Sequence, residues 1–170
     1  MIKLVRPTRE HKEKAIEFKQ EFFDHGERVI NGSELFDQMD DYDKWLEYVM
    51  MNTNITTVDP NWVVTDTFFA INEMKHIVGI IDFRHTLNNF LKNSGHCGYS
   101  VRPTERKKGY AQEMLKQVIE VAKQTRMKQL LISAKRENIP FVKTIIKNGG
   151  VYKRSFNQDN QVIDIYEINL

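Results

Sequence analysis

The segment that most constrains this chain runs from residue 110 to 125. Ala111, Met114, Leu115, Val118, Ala122 and Thr125 recur at helical spacing, with Lys116, Gln117, Glu120 and Lys123 on the opposite side. A helix this strongly two-sided holds in water only when its apolar stripe is buried. Strand-like stretches flank it, Gly95 to Val101 before and Gln129 to Ser133 after.

The rest of the chain supplies the partners. Ile2 to Arg6 has strand character, Pro7 stops it, and Thr8 is placed to cap a helix over Arg9 to Asp24, whose apolar face is Ala15, Phe18, Phe22 and Phe23. Gly26 and Asn31-Gly32 mark a loop. Ser33 is placed to cap a second helix carrying Leu35, Met39, Tyr42, Leu46 and Val49. Asn52 to Asn61 reads as a loop. Val63 to Ile71 and Ile77 to Phe83 form a hairpin around Asn72 to Lys75, and Leu87 to Ser94 is a connection. A last helix spans Ile139 to Asn148, with Pro140 in its first turn and Gly149-Gly150 ending it. Val151 to Phe156 and Val162 to Ile168 make a closing hairpin. The order is β-α-α-β-β-β-α-β-α-β-β. No repeat or linker interrupts it, so one α/β (α+β) domain over 1–170 is expected, a mixed central sheet flanked by helices.

Charge and cysteine usage narrow the classes. With 25 Lys and Arg against 23 Asp and Glu, a net charge of +2 gives no electrostatic case for nucleic acid. Cys97 is the single cysteine, and no apolar run approaches the ~20 residues of a membrane span. The start, Met1 to Pro7, is too short and charged for a signal peptide, so a cytoplasmic location is expected. His76, His85 and His96 lack zinc-ligand spacing, and no metal is expected. Residues 31–50 hold Glu34, Asp37, Asp40, Asp41, Asp43 and Glu47 against one Lys44. This block is either a solvated helix face or an acidic wall for a cationic substrate.

Between the strand ending at Val101 and the helix lies a basic turn. Arg102, Arg106, Lys107 and Lys108 stand against one Glu105, and Gly109 precedes Tyr110 and Ala111. Unpaired N–H groups and the positive dipole end at a helix start favour an anion. Gly109 lets the backbone approach it. Neither a P-loop nor a dinucleotide fingerprint is present. What is present is Arg106-x-x-Gly109-x-Ala111, which resembles the pyrophosphate-binding motif of the GCN5-related N-acetyltransferase (GNAT) superfamily. Val101-x-Pro103 before it, Asn138 and Gly149 after it, and the element order extend the resemblance along the whole chain. Arg84-His85 and Gly98 to Pro103 also resemble a bacterial subfamily of that superfamily.

The resemblance implies acetyl-CoA as donor and a primary amine, on a small molecule or peptide, as acceptor, joined by direct attack in a ternary complex. It implies cofactor contacts from Val101, Arg102, Arg106, Lys107, Lys108, Gly109, Tyr110, Ala111 and Asn138, with the Val101 N–H as oxyanion donor. His96 lies near where relatives carry a catalytic Glu and is the candidate base; its other reading is a histidine hydrogen-bonded between strands. Arg84 and His85 either line the acceptor cleft, where Arg84 can bind a carboxylate, or end a surface strand. Relatives carry a Tyr on the last helix that protonates the leaving thiolate, and Ile145 stands there. Either no protein acid is used or Tyr99, Tyr110 or Tyr152 replaces it. The alternative function is a catalytically silent acyl-CoA-binding or sensing module on the same fold. No nucleic acid or membrane partner is expected, and a homodimer is compatible with the sequence.

Overall fold

A computed structural model describes residues 1–170. Strand β1 (Ile2–Val5) leads through Pro7 into a short 3-10 turn, Arg9–His11. Thr8 opens this turn: its N–H donates to His11 Nδ1 at 3.0 Å, and its carbonyl accepts the His11 N–H at 3.2 Å. Helix α1 (Lys12–Asp24) follows directly and buries Ala15, Phe18 and Phe22.

The second helix begins later than expected. Helix α2 spans Tyr42–Met51, and its cap is Asp41, which accepts the N–H groups of Asp43 at 2.9 Å and Lys44 at 3.1 Å. Ser33 does not cap it, because the chain just after Ser33 is left-handed: φ is 49° at Glu34 and 68° at Leu35. Such values do not propagate an L-residue helix. The indole N–H of Trp45 on α2 donates to the carbonyls of Ser33 (2.9 Å) and Glu34 (3.0 Å) and holds this turn.

Strands β2 (Thr65–Asn72), β3 (Ile77–Arg84) and β4 (Tyr99–Val101) complete a sheet of order β1-β2-β3-β4. Helix α3 (Tyr110–Lys123) crosses to β5 (Gln129–Lys135). Helix α4 (Ile139–Lys147) then precedes the hairpin of β6 (Val151–Gln158) and β7 (Gln161–Asn169), and the second sheet has order β5-β7-β6. Every ladder is antiparallel. The central sheet expected to be mixed thus divides in two, with a single bridge between Gly95 and Ile132.

The first sheet is covered on both faces, which is why β2 and β3 read as almost continuous apolar runs. Phe69, Ile77 and Ile80 pack with α1 and α2. Phe68, Ala70, Val78, Ile81 and Phe83 face the other way, onto Met114, Leu115, Val118 and Ala122 of α3. That stripe is the one read from the helical spacing.

Candidate active site

The site begins just before β4, where the chain leaves β5. Residues 94–96 lie against β5 and the chain then turns away from it. His96 makes this junction. Its N–H donates to the Leu131 carbonyl (2.7 Å), its carbonyl accepts the Arg84 N–H (2.6 Å), and its Nδ1 accepts the Leu131 N–H (2.9 Å). With Nδ1 accepting, the neutral ring carries its proton on Nε2 and has no lone pair left for a substrate proton. Burial, with the Arg84 charge nearby, pushes its pKa down to about 4. This geometry is that of the second reading of His96, a histidine hydrogen-bonded between strands: the ring ties the two sheets together.

Beyond the junction the edge of β4 is open. Arg102 N–H donates to the Val78 carbonyl and Asp82 N–H to the Gly98 carbonyl. In an antiparallel pair such bonds fall on alternate residues. Tyr99 and Val101, paired with Ile81 and Gly79, therefore direct their N–H groups away from β3. The cavity on that side has a volume of about 420 Å3. Gly98 and Cys97 form one wall, Ser133, Ala134 and Lys135 the other, and Asn138, Arg84 and Gly32 also reach it. Gly32 seats its backbone on Gly98, where an added Cβ would stand 2.1 Å from the Gly98 oxygen.

One cluster behind this wall was not foreseen from the sequence. Glu34 and Asp82 are 7% and 0% exposed. Arg84 donates from one terminal nitrogen to Asp82 Oδ2 (2.7 Å), with Glu34 Oε1 at 3.9 Å, and from the other to the Gly95 carbonyl (2.9 Å). The Gly98 N–H donates to Asp82 Oδ1, and the Trp62 indole to Glu34 Oε2 at 2.9 Å. Burial pushes the Glu34 carboxyl up to about 9, and Asp82 beside it adds to the rise, against the pull of Arg84 and Trp62. Burial thus favours the protonated form of Glu34 beside the Arg84–Asp82 ion pair. Both terminal nitrogens of Arg84 are engaged inside the protein, its buried Nε has no partner, and the residue lines the cleft. Glu34 sits where the sequence reads as helix, and only the left-handed turn brings it to the wall.

The remaining predicted residues separate into those near the cleft and those away from it. Asn138 lines the cavity and caps α4 by accepting the Phe141 N–H. His85 does not line it: its Nε2 pairs with Asp66 Oδ2 at 2.8 Å, and Asp66 also holds Arg6 at 2.6 Å. Ile145 is fully buried in the core and does not face the cleft. Tyr99 is buried and stacks on Phe141 at 4.2 Å, and burial raises its hydroxyl pKa. Cys97 is buried too, and burial raises its thiol pKa. The acidic block does not form a wall. Asp37 accepts the Ile30 N–H (2.8 Å), Asp41 caps α2, Asp43 pairs with Lys12 (2.6 Å), and Glu34 is buried behind the cavity wall.

Four residues of β4 and its exit, about 13 Å at the usual strand rise, lead from the cleft at Gly98 to the basic turn. Gly109 adopts φ 85° and starts α3. The first N–H bonded across the turn is that of Glu113, to the Gly109 carbonyl (3.2 Å), so those of Tyr110, Ala111 and Gln112 have no intrahelical acceptor. Arg102, Arg106 and Lys108 are ion-paired, and Lys107 is not.

Comparison with known proteins agrees with this geometry. The family model described as "Acetyltransferase (GNAT) domain" matches residues 3–151. No curated protein matches the sequence at a significant level. Among solved structures, YncA of Salmonella typhimurium, assigned as an acetyltransferase and solved with its cofactor acetyl-CoA, superposes with a TM-score of 0.70 at 11% identity, covering 99% of this chain and 94% of its own. A chimera of the spermidine N-acetyltransferase SpeG of Vibrio cholerae and hSSAT gives 0.65 at 14% identity, covering 99% and 94%. The GNAT domain of S. lividans PAT gives 0.62 at 13%, covering 99% and 89%. At these identities the structures speak for the fold, while the family match spans most of the chain. An open β4 edge leading to a glycine-started helix, together with that match, means that this chain belongs to the GNAT acetyltransferase family.

Proposed function

We propose that the protein is an N-acetyltransferase that moves an acetyl group from acetyl-CoA to a primary amine, with both held in the cleft at once. The observation that carries this reading is the open edge of β4, where the Tyr99 and Val101 N–H groups face the cavity side and the strand runs on to the unpaired N–H groups of α3. The residues present fit acetyl-CoA: an apolar-backed strand edge for an extended arm, and a glycine-started helix for a pyrophosphate. Bound acetyl-CoA supplies an activated thioester and a stable thiolate leaving group. Val101 N–H is the oxyanion donor in this reading, Asn138 borders the cleft, and backbone N–H groups from Arg106 to Ala111 take the pyrophosphate.

His96, the candidate base, has its ring committed to Leu131 and is not free to take the proton. The amine then loses its proton to water, and kcat/KM rises with pH toward the amine's own pKa of ~10, without a step near the ~6.5 of an ordinary histidine. The fold's likeness to a spermidine N-acetyltransferase supports an amine as acceptor. Arg84 is ion-paired with Asp82, and that pairing gives no preference for an acceptor carboxylate.

The test is free-thiol release from acetyl-CoA across a panel of amines, together with calorimetry on Gly109→Glu. That variant places bulk and negative charge at the helix start, where nothing lies within 4 Å of an added Cβ. It is expected to abolish acetyl-CoA binding and to keep the fold at a backbone cost of about 1–2 kcal/mol, since φ is +85° at Gly109. Unchanged affinity would refute the pyrophosphate assignment. Acetyl-CoA binding with no transfer to any amine would favour the second reading, a silent acyl-CoA-binding module, which the committed His96 and the buried Ile145 support.

A further inference from the structure

The basic turn looks cationic in sequence, but its charge is cancelled in the fold. Helix α1 and its exit lie beside it and present Glu17, Glu21 and Glu27. Arg102 bonds Glu21 through Nε and Glu17 through a terminal nitrogen (2.6 Å). Glu21 also accepts the N–H (3.0 Å) and the hydroxyl (2.7 Å) of Thr104. Arg106 lies over the Phe22 ring, 5.7 Å from its centroid, with Nε on the Val101 carbonyl (3.2 Å) and both terminal nitrogens on Glu27 (2.7 Å each). Lys108 is held by Glu105 at 2.9 Å.

We propose that Glu21 and Glu27 are positioning residues for the cofactor turn, with Arg102 and Arg106 as their anchors and not as phosphate ligands. Lys107 is the one side-chain cation left to face a bound pyrophosphate. The proposal rests on the reading of this turn as the acetyl-CoA site.

Two physical arguments favour anchoring. A two-pronged Arg–carboxylate pair within a network is the geometry in which a surface ion pair contributes measurably, whereas single exposed pairs contribute little. Releasing Arg106 to a phosphate would also leave Glu27 unpaired beside the incoming anion, and Glu21 would stay on Arg102. Glu27 is held below the usual carboxylate range by Arg106. At Glu21, burial acts upward but Thr104 and Arg102 outweigh it and lower the pKa. Both are therefore anionic at neutral pH. Lys107, at φ 66°, stands in the left-handed bend just before Gly109 with no acidic partner. Nearby backbone N–H groups and one free ammonium then form the anion site.

The experiment is a double-mutant cycle on Glu27→Gln and Arg106→Gln, with two readouts. Amide hydrogen exchange over residues 104–111 in the free protein reports the shape of the turn. Calorimetry reports acetyl-CoA affinity. Anchoring predicts that each single variant speeds exchange there and weakens acetyl-CoA binding by about two- to five-fold, and that the double variant is no worse than either. Lys107→Gln is expected to weaken binding with exchange unchanged. Unchanged exchange in Glu27→Gln overturns the proposal. So does weaker binding in Arg106→Gln with equal or tighter binding in Glu27→Gln, which would make Arg106 a phosphate ligand. If the wild type does not bind acetyl-CoA, the cofactor reading falls, and the exchange measurement still decides whether the glutamates shape the turn.

Discussion

Replacing Gly32 by alanine tests the contact that closes one wall of the cleft. Two costs act there, and they can be separated. The backbone has φ +74°, a conformation that disfavours any Cβ by about 1–2 kcal/mol. The new Cβ would also stand 2.1 Å from the Gly98 oxygen, 2.5 Å from its carbonyl carbon and 2.9 Å from Tyr99 Cα. All three are backbone atoms, so no side chain can swing aside. Overpacking of this kind costs typically about 1–3 kcal/mol. Gly26 is the control: its φ is +77° and nothing lies within 4 Å of its Cβ position. Gly26→Ala should lose about 1–2 kcal/mol and Gly32→Ala about 2–5 kcal/mol. In urea unfolding, with a slope of about 2 kcal/mol/M, the two midpoints should differ by about 1 M. The loop that carries Gly32 must also retreat from β4, so the amine KM should rise in Gly32→Ala alone. Equal midpoints for the two variants would show that the loop does not press on Gly98, and the account of this wall would fail.

Three further outcomes follow from the buried groups. Glu34 has a folded pKa raised to about 9, so its stabilising contribution is complete below the unfolded value of ~4.3 and is lost as pH rises through 9; Glu34→Gln should remove that decline, read as thermal midpoints from pH 5 to 10. His96 has a folded pKa lowered to about 4, so stability should fall as pH drops from ~6.5 toward 4, and His96→Gln should flatten this limb. His96→Ala leaves the Leu131 N–H without its acceptor and should cost about 1–3 kcal/mol, while the pH profile of kcat/KM keeps its shape; a changed profile would return His96 to catalysis.

The fold was legible where one periodicity ruled. The stripe from Ala111 to Ala122, the hairpin around Asn72 to Lys75 and the closing hairpin all have side-chain patterns that only one element satisfies. The start of α3 was legible because Gly109 and the helix start are local signals. Misreadings arose where distant contacts decided. Leu35 and Met39 fit a helical face, yet the Trp45 indole draws the carbonyls of Ser33 and Glu34 into a left-handed turn. Gly95 and His96 have strand character, but they bond to β5 as well as to β3 and lie outside the short strand β4. Charges were the least legible. Glu17, Glu21 and Glu27 are far in sequence from the turn they neutralise, and nothing near Glu34 announces that it will meet Asp82 across the sheet. A count of cations in a turn is no guide to its field until the opposing helix is known.

The sparse junction between the two sheets bears on how the molecule loses its structure. Each sheet is assembled from one continuous stretch of chain, β1 to β4 and then β5 to β7, and the segment around His96 is the ladder-edge seam between them. Helices α3 and α4 add side-chain packing across that seam but no backbone bonds in the plane of the strands. Amide exchange in the free protein should therefore resolve into two blocks with different opening free energies. A molecule lodged between the open edge of β4 and the facing wall of β5 would act as a missing rung. Its binding should merge the two blocks into one cooperative unit and raise the less protected block most. The same opening that admits a ligand would then let that ligand add to the cohesion that the shared core around α3 already provides.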